Sequence, residues 1–320
     1  MELDIDLVLT YIYPIFVMLM ILEYILARHL FDLKESFSGF AIAVVASAIA
    51  FFSKAFALGV FIFVFEFFKE ARLVYFGYES IGWAWFVWIF AILADDFNFY
   101  WHHRFSHSIR LLWAAHVPHH SAKSFNLSIG IRNGWFVTLY KPIFWLWLPI
   151  VGFEPIMIAT CLVINGIYQF FLHTQLIPSL GWYGKVFNTP FVHRIHHSSN
   201  VEYLDKNHGG ILIIWDKLFG TYQCIISNVK PKYGILKDPK TYNPILLNTH
   251  EFSSIWKDVQ KTSSWKDKFK YIFFPPGWSH DKSSKTTMEL QQAFVDNSLI
   301  PKKAPILIDT SNDKIDSVRS

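Results

Sequence analysis

Eleven of the fourteen histidines lie between positions 102 and 208, and eight of them form three spaced clusters. The clusters are His103 with His107, His116 with His119 and His120, and His193 with His196 and His197. On a helix, residues three and four apart share a face, so each cluster can direct its rings at one point. Imidazole is the commonest metal ligand, and eight rings exceed the four that a tetrahedral ion uses. The fold must bring three distant segments together, and the pattern predicts a pair of transition metals.

The composition predicts an integral membrane protein. Apolar residues make up 52% of the chain and charged residues only 17%, against about 25% charged in an ordinary soluble domain. The net charge of +4 is small and dispersed, so nucleic acid is not expected as a partner. Cys161 and Cys224 are far apart and lack zinc-site spacing, which favours two free thiols.

Five apolar segments are candidates for membrane crossing. They cover about 7–27, 37–68, 81–101, 135–152 and 155–172. A helix needs about 20 apolar residues to cross a bilayer, and the long second segment fits one crossing plus a tilted or interfacial piece. The fold class predicted is therefore an all-α integral membrane protein with about four to five transmembrane or re-entrant helices. Because the first six residues are acidic, the first segment is expected to remain as an anchor and not to be a cleaved signal peptide.

The chain divides into four predicted regions. These are N-terminal anchor helices (1–80), a histidine-rich core (81–227), an amphipathic extension (228–280) and a disordered tail (281–320). Arg28, Lys34, Arg104 and Arg110 follow predicted spans, and lysines fill the C-terminal part. The positive-inside rule places these residues in the cytoplasm. All three clusters then meet at one cytoplasmic membrane boundary, in a helical cap that carries the two-metal site.

Four further residues bear on this site. His173 ends a predicted span at the right depth and is expected to be a ligand, and His208 is expected to be a ligand or to hold one. His102 points about 100° away from its neighbour on a helix and is expected not to bind. Asp96 precedes the first cluster and is expected to accept an imidazole N–H, with helix packing or capping as the alternative.

The ligand type alone leaves the metal and the function class open. Nitrogen-rich sites suit iron, copper, zinc or nickel. Metal binding or transport without catalysis is one alternative, although transport sites usually lie near the bilayer midplane. A zinc-dependent membrane hydrolase is another, but the clusters have no acid/base glutamate beside them. Open metal positions at a membrane edge favour oxygen activation on a lipid chain.

The three clusters, in this order, resemble the histidine boxes of the fatty acid hydroxylase / sterol desaturase superfamily of membrane di-iron enzymes. Other stretches resemble its alkylglycerol monooxygenase branch. They cover 96–104, 113–121, 126–128, 173–174, 188–190, 205–207 and 212–221. The likeness extends over about residues 10–280 and is most specific within 96–221.

The resemblance implies two iron ions, molecular oxygen and a lipid substrate such as a sterol, fatty acyl or alkyl-ether lipid. By position it makes the eight box histidines ligands, and His173 falls at a histidine position of the family. Asn126 lies in a matching stretch and is assigned, with Asp96, to the surroundings of the ligands. The alkylglycerol branch also uses tetrahydrobiopterin, which makes this pterin a candidate cofactor. Otherwise a separate electron donor is expected.

The sequence therefore predicts an oxygen-dependent lipid hydroxylase or monooxygenase, with desaturation as a variant that the ligands do not separate. Its histidines hold the irons and its apolar spans form the lipid slot. The active site is expected to face the cytoplasm, in a bacterial inner membrane or the endoplasmic reticulum.

Overall fold

The computed structural model describes residues 5–297, and this part of the chain forms fourteen α-helices and no β-strand. The helices are α1 (Ile5–Leu26), α2 (Leu33–Phe67), α3 (Lys69–Phe76), α4 (Trp85–Ser108), α5 (Arg110–His120), α6 (Leu127–Gly130), α7 (Val137–Tyr140), α8 (Trp147–Val151), α9 (Pro155–Phe171), α10 (Pro190–His196), α11 (Ile214–Leu218), α12 (Pro244–Val259), α13 (Trp265–Phe273) and α14 (Thr287–Asn297). The predicted all-helical class is confirmed.

Helix α2 is 35 residues long and strongly apolar. The Asp32 side chain starts it by accepting hydrogen bonds from the backbone N–H groups of Lys34 and Glu35, which satisfies two of the donors that a helix start leaves free. Within residues 5–297, α2 alone is long and apolar enough to cross a membrane, and shorter apolar helical stretches cover Tyr11–Leu26, Val137–Val151 and Pro155–Phe171. The number of spans stays a prediction.

Two predicted segments have different bounds in the structure. Segment 135–152 is not one helix, because α7, a 3₁₀ turn (Lys141–Trp145) and α8 divide it. Pro142 lacks a backbone N–H, and Gly152 ends α8 with a left-handed φ of 100°. The third segment does not end near Trp101, since α4 continues without a break to Ser108. The first histidine cluster therefore extends directly from an apolar helix.

An apolar core fixes α4 among its neighbours. Its buried residues come from α2, α4, the 3₁₀ turn, α9 and the segment around α8, and they are Phe61, Val87, Ala91, Trp145, Leu148, Phe153, Met157, Ile158 and Cys161. The Trp145 indole N–H also donates to the Asp95 carboxylate at 2.8 Å. This packing sets the direction in which α4 presents its C-terminal histidines.

Two buried glutamates join the first two helices to the histidine region. Glu23 of α1 accepts hydrogen bonds from the backbone N–H of Leu127, at 2.7 Å, and from the Thr174 hydroxyl. Glu35 of α2 accepts from the backbone N–H groups of Lys123 and Ser124, each at 2.8 Å. The end of α1 and the start of α2 thus lie beside the loop that follows α5.

The C-terminal part forms a helical layer against α5. Arg110, at the start of α5, pairs with Glu251 at 2.7 Å and Asp258 at 2.8 Å, both on α12. The predicted disordered tail is wrong for 287–297, because α14 forms there and its Gln291 side chain donates to two carbonyls of 201–204. Residues 298–320 of that predicted tail lie outside the described residues.

Candidate metal centre

The first two histidine clusters lie on consecutive helices that contact each other. His103 and His107 occupy the last two turns of α4, and α5 presents His116, His119 and His120. All five side chains are buried. The turn between α4 and α5 therefore brings the first and second clusters together.

The third cluster and His173 reach the same region from other elements. The Thr189 side chain caps α10, which carries His193 and His196, and His197 follows its last residue. His173 lies just beyond α9. All four side chains are buried, so the centre draws on four separate parts of the chain.

The nine rings form two groups. The five-ring group contains His103, His107, His116, His120 and His196, and the four-ring group contains His119, His173, His193 and His197. Within each group, one ring nitrogen per residue lies within 4.8 Å of those of the others. The structure thus gathers nine of the ten predicted ligands, and their binding of metal stays a prediction.

Adjacent histidines belong to different groups. The α5 cluster gives His119 to the four-ring group and its other two members to the five-ring group, whereas the α10 cluster gives only His196 to the five-ring group. Neighbours on a helix point about 100° apart, while residues four apart share a face. The rings of His120 and His197 stack with centroids 4.3 Å apart. The two groups therefore lie side by side.

The facing ring nitrogens fit bound cations. Two Nε2–Nε2 distances in the five-ring group and four in the four-ring group are 3.1–3.2 Å. The Nδ1 atoms of His103, His173 and His196 each lie 2.7–2.9 Å from a backbone carbonyl, which can only accept. A neutral ring has one N–H, so the Nε2 atoms of these rings present lone pairs. A cation between such lone pairs turns repulsion into attraction.

The spacing also bears on coordination number. With a metal–nitrogen distance of about 2.1 Å, ligands at tetrahedral angles lie about 3.4 Å apart and ligands at right angles about 3.0 Å apart. The closest ring nitrogens, 3.1–3.2 Å apart, fall between these two values. The spacing is thus that of nitrogens that share one ion, and the two groups offer five and four ligands.

Burial keeps eight of the nine rings neutral. Desolvation, reinforced by neighbouring rings, lowers the pKa well below 6.5 for His103, His116, His119, His120, His193, His196 and His197. The same cause lowers the pKa of His173 to about 4. Neutral imidazole is the form that binds metal, so the rings are available as ligands at physiological pH.

One short loop orients three rings of the five-ring group. The Nδ1 of His107 lies 3.3 Å from the Asp205 carboxylate, that of His196 lies 2.8 Å from the Lys206 carbonyl, and that of His103 lies 2.9 Å from the His208 carbonyl. Such outer partners fix the tautomer and direction of a metal-binding ring. The 205–208 loop therefore orients rings of the five-ring group and not those of the four-ring group.

Asn207 holds this loop in shape. Its φ is 58°, a left-handed conformation that Asn tolerates better than most residues. The side-chain amide donates to the carbonyls of Val192, at 3.2 Å, and Gln223, at 2.8 Å, and its oxygen accepts from the Gln223 N–H at 2.8 Å. Sequence reasoning missed Asn207, although an Asn beside Gly-Gly is typical of such turns.

Two other histidines lie outside the groups. His208 was expected to be a ligand or to hold one; its ring nitrogens belong to neither group, and its Nε2 lies 3.1 Å from the Asp205 carbonyl. Its ring is 5.0 Å from that of His107, and its own carbonyl serves His103. His102, predicted not to bind, points away and packs between aromatic rings, including that of Tyr140.

Asp96 and Asn126 were predicted to surround the ligands, and their side chains form hydrogen bonds mainly with backbone groups. Asp96 was expected to accept an imidazole N–H, with helix packing or capping as the alternative. It accepts from the N–H groups of Ile211, at 2.5 Å, and Leu212, at 3.0 Å, and from the Trp215 indole at 2.9 Å. Gly210 permits this approach, because a Cβ there would overlap the Asp96 carboxylate. These three donors occupy the Asp96 carboxylate, so its role here is to hold the 210–215 segment against α4.

Asn126 likewise forms its side-chain hydrogen bonds with groups other than histidine rings among the described residues. Its oxygen caps α6 by accepting from the Ser128 N–H at 3.1 Å, and its amide donates to the Leu30 carbonyl at 2.9 Å. Sequence reasoning missed the buried Arg132, whose carbonyl lies 3.3 Å from the His119 Nδ1 and whose side chain donates to the Pro118 carbonyl at 2.9 Å. A charged residue just before an apolar segment was the available signal.

Comparison with known proteins gives a consistent result. Residues 88–221 match the profile of the family described as fatty acid hydroxylase. The alkylglycerol monooxygenase of Homo sapiens is 34% identical over 275 residues, 84% of this chain and 59% of the relative, and that of Caenorhabditis elegans is 31% identical over 261 residues, 78% and 49% of the two chains. The ornithine lipid hydroxylase of Rhizobium tropici is 29% identical over 140 residues, 42% and 41% of the two chains.

These matches confirm the resemblance predicted from the histidine boxes. The matched region contains all ten predicted ligands. The chain spans about half the length of the curated relatives. No solved structure matches significantly.

Proposed function

Because residues 88–221 belong to the fatty acid hydroxylase family, we propose that this protein is a membrane-bound, O₂-dependent oxidoreductase that hydroxylates a lipid and uses two iron ions. The observation that carries the proposal is the pair of adjacent, buried imidazole groups. The relatives named for monooxygenase and hydroxylase activity on lipids favour hydroxylation over desaturation.

Each group of rings would hold one ion. Bound iron would supply the redox chemistry that activates O₂ and oxidises a C–H bond. Four of the ligands have Nδ1 atoms that face fixed backbone carbonyls, so their Nε2 atoms stay free of a proton. They are His103, His119, His173 and His196. Burial of all nine rings excludes bulk water, and the outer partners hold the ligands rigidly. No side chain needs to act as a general base in this scheme.

An apolar groove beside α4 suits a lipid chain. It measures about 280 Å³ and is lined by Ile89, Ile92, Leu93, Phe187, Ile211 and Leu212, together with Asp96. The Asp96 carboxylate already accepts three hydrogen bonds, so no unpaired charge opposes an apolar occupant. We assign this groove to the hydrocarbon part of the substrate.

The centre lies near one end of α2. Glu23 and Glu35 connect it to the end of α1 and the start of α2, which supports a site at the membrane boundary. We place that boundary on the cytoplasmic side of a bacterial inner membrane or the endoplasmic reticulum. A separate electron donor, or tetrahydrobiopterin, stays a prediction from the resemblance.

The experiment is comparative lipid mass spectrometry of cells that express the wild-type chain, His119→Ala or His29→Ala. His119 belongs to the four-ring group, and His29 is exposed outside both groups. We expect an oxygenated lipid in cells with the wild type and His29→Ala that is absent with His119→Ala. Equal lipid profiles with all three proteins would overturn the oxygenase proposal, and one zinc per chain after loading with iron would favour the hydrolase alternative.

A further inference from the structure

Helix α13 has apolar residues on two opposite sides. Tyr271 faces inward and is 2% exposed, whereas Trp265, Phe269 and Phe273 are 82%, 57% and 42% exposed. At about 100° per residue, these three outward residues lie within an arc of about 80°, and Tyr271 lies about 160° from Phe269. Packing against the protein explains the Tyr271 side only. The outward stripe of Trp265, Phe269 and Phe273 is called here the α13 face.

Lysines border the α13 face on both edges. Lys266 is exposed and lies about 60° from Phe269 on one side, and Lys268 lies about 100° from it on the other. The Lys268 ammonium is 4.8 Å from the Trp265 ring centroid. An apolar stripe that contains Trp and is flanked by lysines is typical of helices that lie in the membrane interface, where long cationic side chains reach the phosphates.

Helix α12 continues this surface. Ile245 and Trp256 are 60% and 66% exposed, and eleven residues along a helix return to within about 20° of the same face. Trp256 and Trp265 therefore give the surface two aromatic residues of the kind that favours membrane interfaces.

The α12–α13 pair lies beside the candidate membrane helix. The Tyr242 hydroxyl, just before α12, donates to the Asp32 carboxylate that caps α2, at 3.3 Å. Trp135 bridges the two helices, because its N–H donates to the Asn248 side chain at 3.0 Å and its indole to the Ile42 carbonyl at 3.1 Å. Helix α12 thus lies beside the start of α2, whose exposed apolar residues include Phe37.

We propose that the α13 face, with Ile245 and Trp256, lies in the headgroup layer of an anionic bilayer beside the start of α2. The lysine edges complement lipid phosphates. A second copy related by a two-fold axis would instead bring the same lysine-rich edges together. This inference goes beyond the proposed chemistry and shares with it only the assumption that the chain lies in a membrane.

The test uses single-cysteine variants of the full chain in a Cys224→Ser background, since Cys161 is buried. Phe269→Cys and, as the matched control, Lys266→Cys carry an environment-sensitive fluorophore. The proteins are reconstituted into vesicles of phosphatidylcholine with phosphatidylglycerol. We expect the label at 269 to be quenched by nitroxide on the lipid chains and to be several-fold less accessible to acrylamide than the label at 266.

A second arm tests the charge requirement. Lys266→Glu with Lys268→Glu, added to Phe269→Cys, is expected to raise acrylamide access in these vesicles and to change it little in pure phosphatidylcholine. Equal acrylamide quenching at 269 and 266, in protein that floats with the vesicles, would overturn the proposal for the α13 face and leave the proposed membrane enzyme unaffected. Protection of 269 from both quenchers would show a protein partner or second copy and would also overturn it. A chain that does not float would overturn this inference together with the proposed membrane enzyme.

Discussion

The substitution Asn207→Asp changes one amide to a carboxylate without changing its size. The Asp side chain keeps an oxygen that accepts from the Gln223 N–H. Its second oxygen replaces the amide NH₂, which in the wild type donates to the carbonyls of Val192, at 3.2 Å, and Gln223, at 2.8 Å. Two acceptors then face each other where a donor and an acceptor did. Asp tolerates the left-handed φ of 58° nearly as well as Asn. The perturbation therefore acts on the hydrogen bonds of the 205–208 loop and not on its backbone preference.

The expected magnitude follows from the two hydrogen bonds that the substitution removes. Each lost hydrogen bond is worth about 0.5–1.5 kcal/mol net, so the loop shape loses about 1–3 kcal/mol of support. Loss of outer partners weakens metal sites about 10- to 100-fold. The loop orients His103, His107 and His196 of the five-ring group. The partners of the four-ring group, the carbonyls of Arg132 and Gln169, lie elsewhere. We expect selective loss of one ion.

The assay is metal content per chain after dialysis of iron-loaded protein against increasing chelator. Asn228→Asp is the matched control, because Asn228 is exposed and has a similar φ of 66°. For Asn207→Asp we expect one ion to leave at about 10- to 100-fold lower chelator concentration, with the second ion retained and the helical circular dichroism unchanged. Retention of both ions at wild-type affinity, or loss of both together, would refute the reasoning.

Three further predictions concern buried groups. The pKa of the His173 imidazole is about 6.5 in the unfolded chain and about 4 in the fold. Because the unfolded chain binds this proton first, metal-free protein should lose up to about 1.4 kcal/mol of stability per pH unit for this ring as pH falls from 6.5 towards 4. An unchanged urea midpoint between pH 7 and 5 would contradict this. Gly210→Ala should overlap Asp96 and cost about 1–3 kcal/mol, whereas Gly166→Ala in open space on α9 should be neutral or stabilising, as thermal unfolding would show. Glu23→Ala should leave the Leu127 N–H and the Thr174 hydroxyl without an acceptor and lower the melting temperature, and an unaltered melting temperature would count against this linkage.

Spacing along helices predicted which histidines gather, because residues three and four apart share a face in any helix. Helix geometry also separates His119 and His196 from their cluster partners, because residues four apart share a face and neighbours do not. It did not predict which subset of α5 joins which subset of α10, since only tertiary packing sets the relative direction of the two helices.

Some predictions left alternatives open for a common reason. Residue type alone could not decide the roles of His208 and Asp96, because a left-handed Asn207 and the close approach at Gly210 decide what their side chains reach. Helix α14 was missed because its few apolar residues lie in a polar stretch, and its contacts with 201–204 are long-range. Backbone conformation and distant contacts are not visible in local patterns.

The most direct test of the proposed function is isotope incorporation into lipid. Cells that express the wild-type chain or His119→Ala are grown briefly under isotopically heavy dioxygen, and their lipids are compared by mass spectrometry. We predict a lipid that depends on the wild-type chain and carries one heavy oxygen atom in a new hydroxyl group. A wild-type-dependent lipid without heavy oxygen, or the same labelled lipid with His119→Ala, would contradict the claim that these histidines support oxygen-dependent hydroxylation.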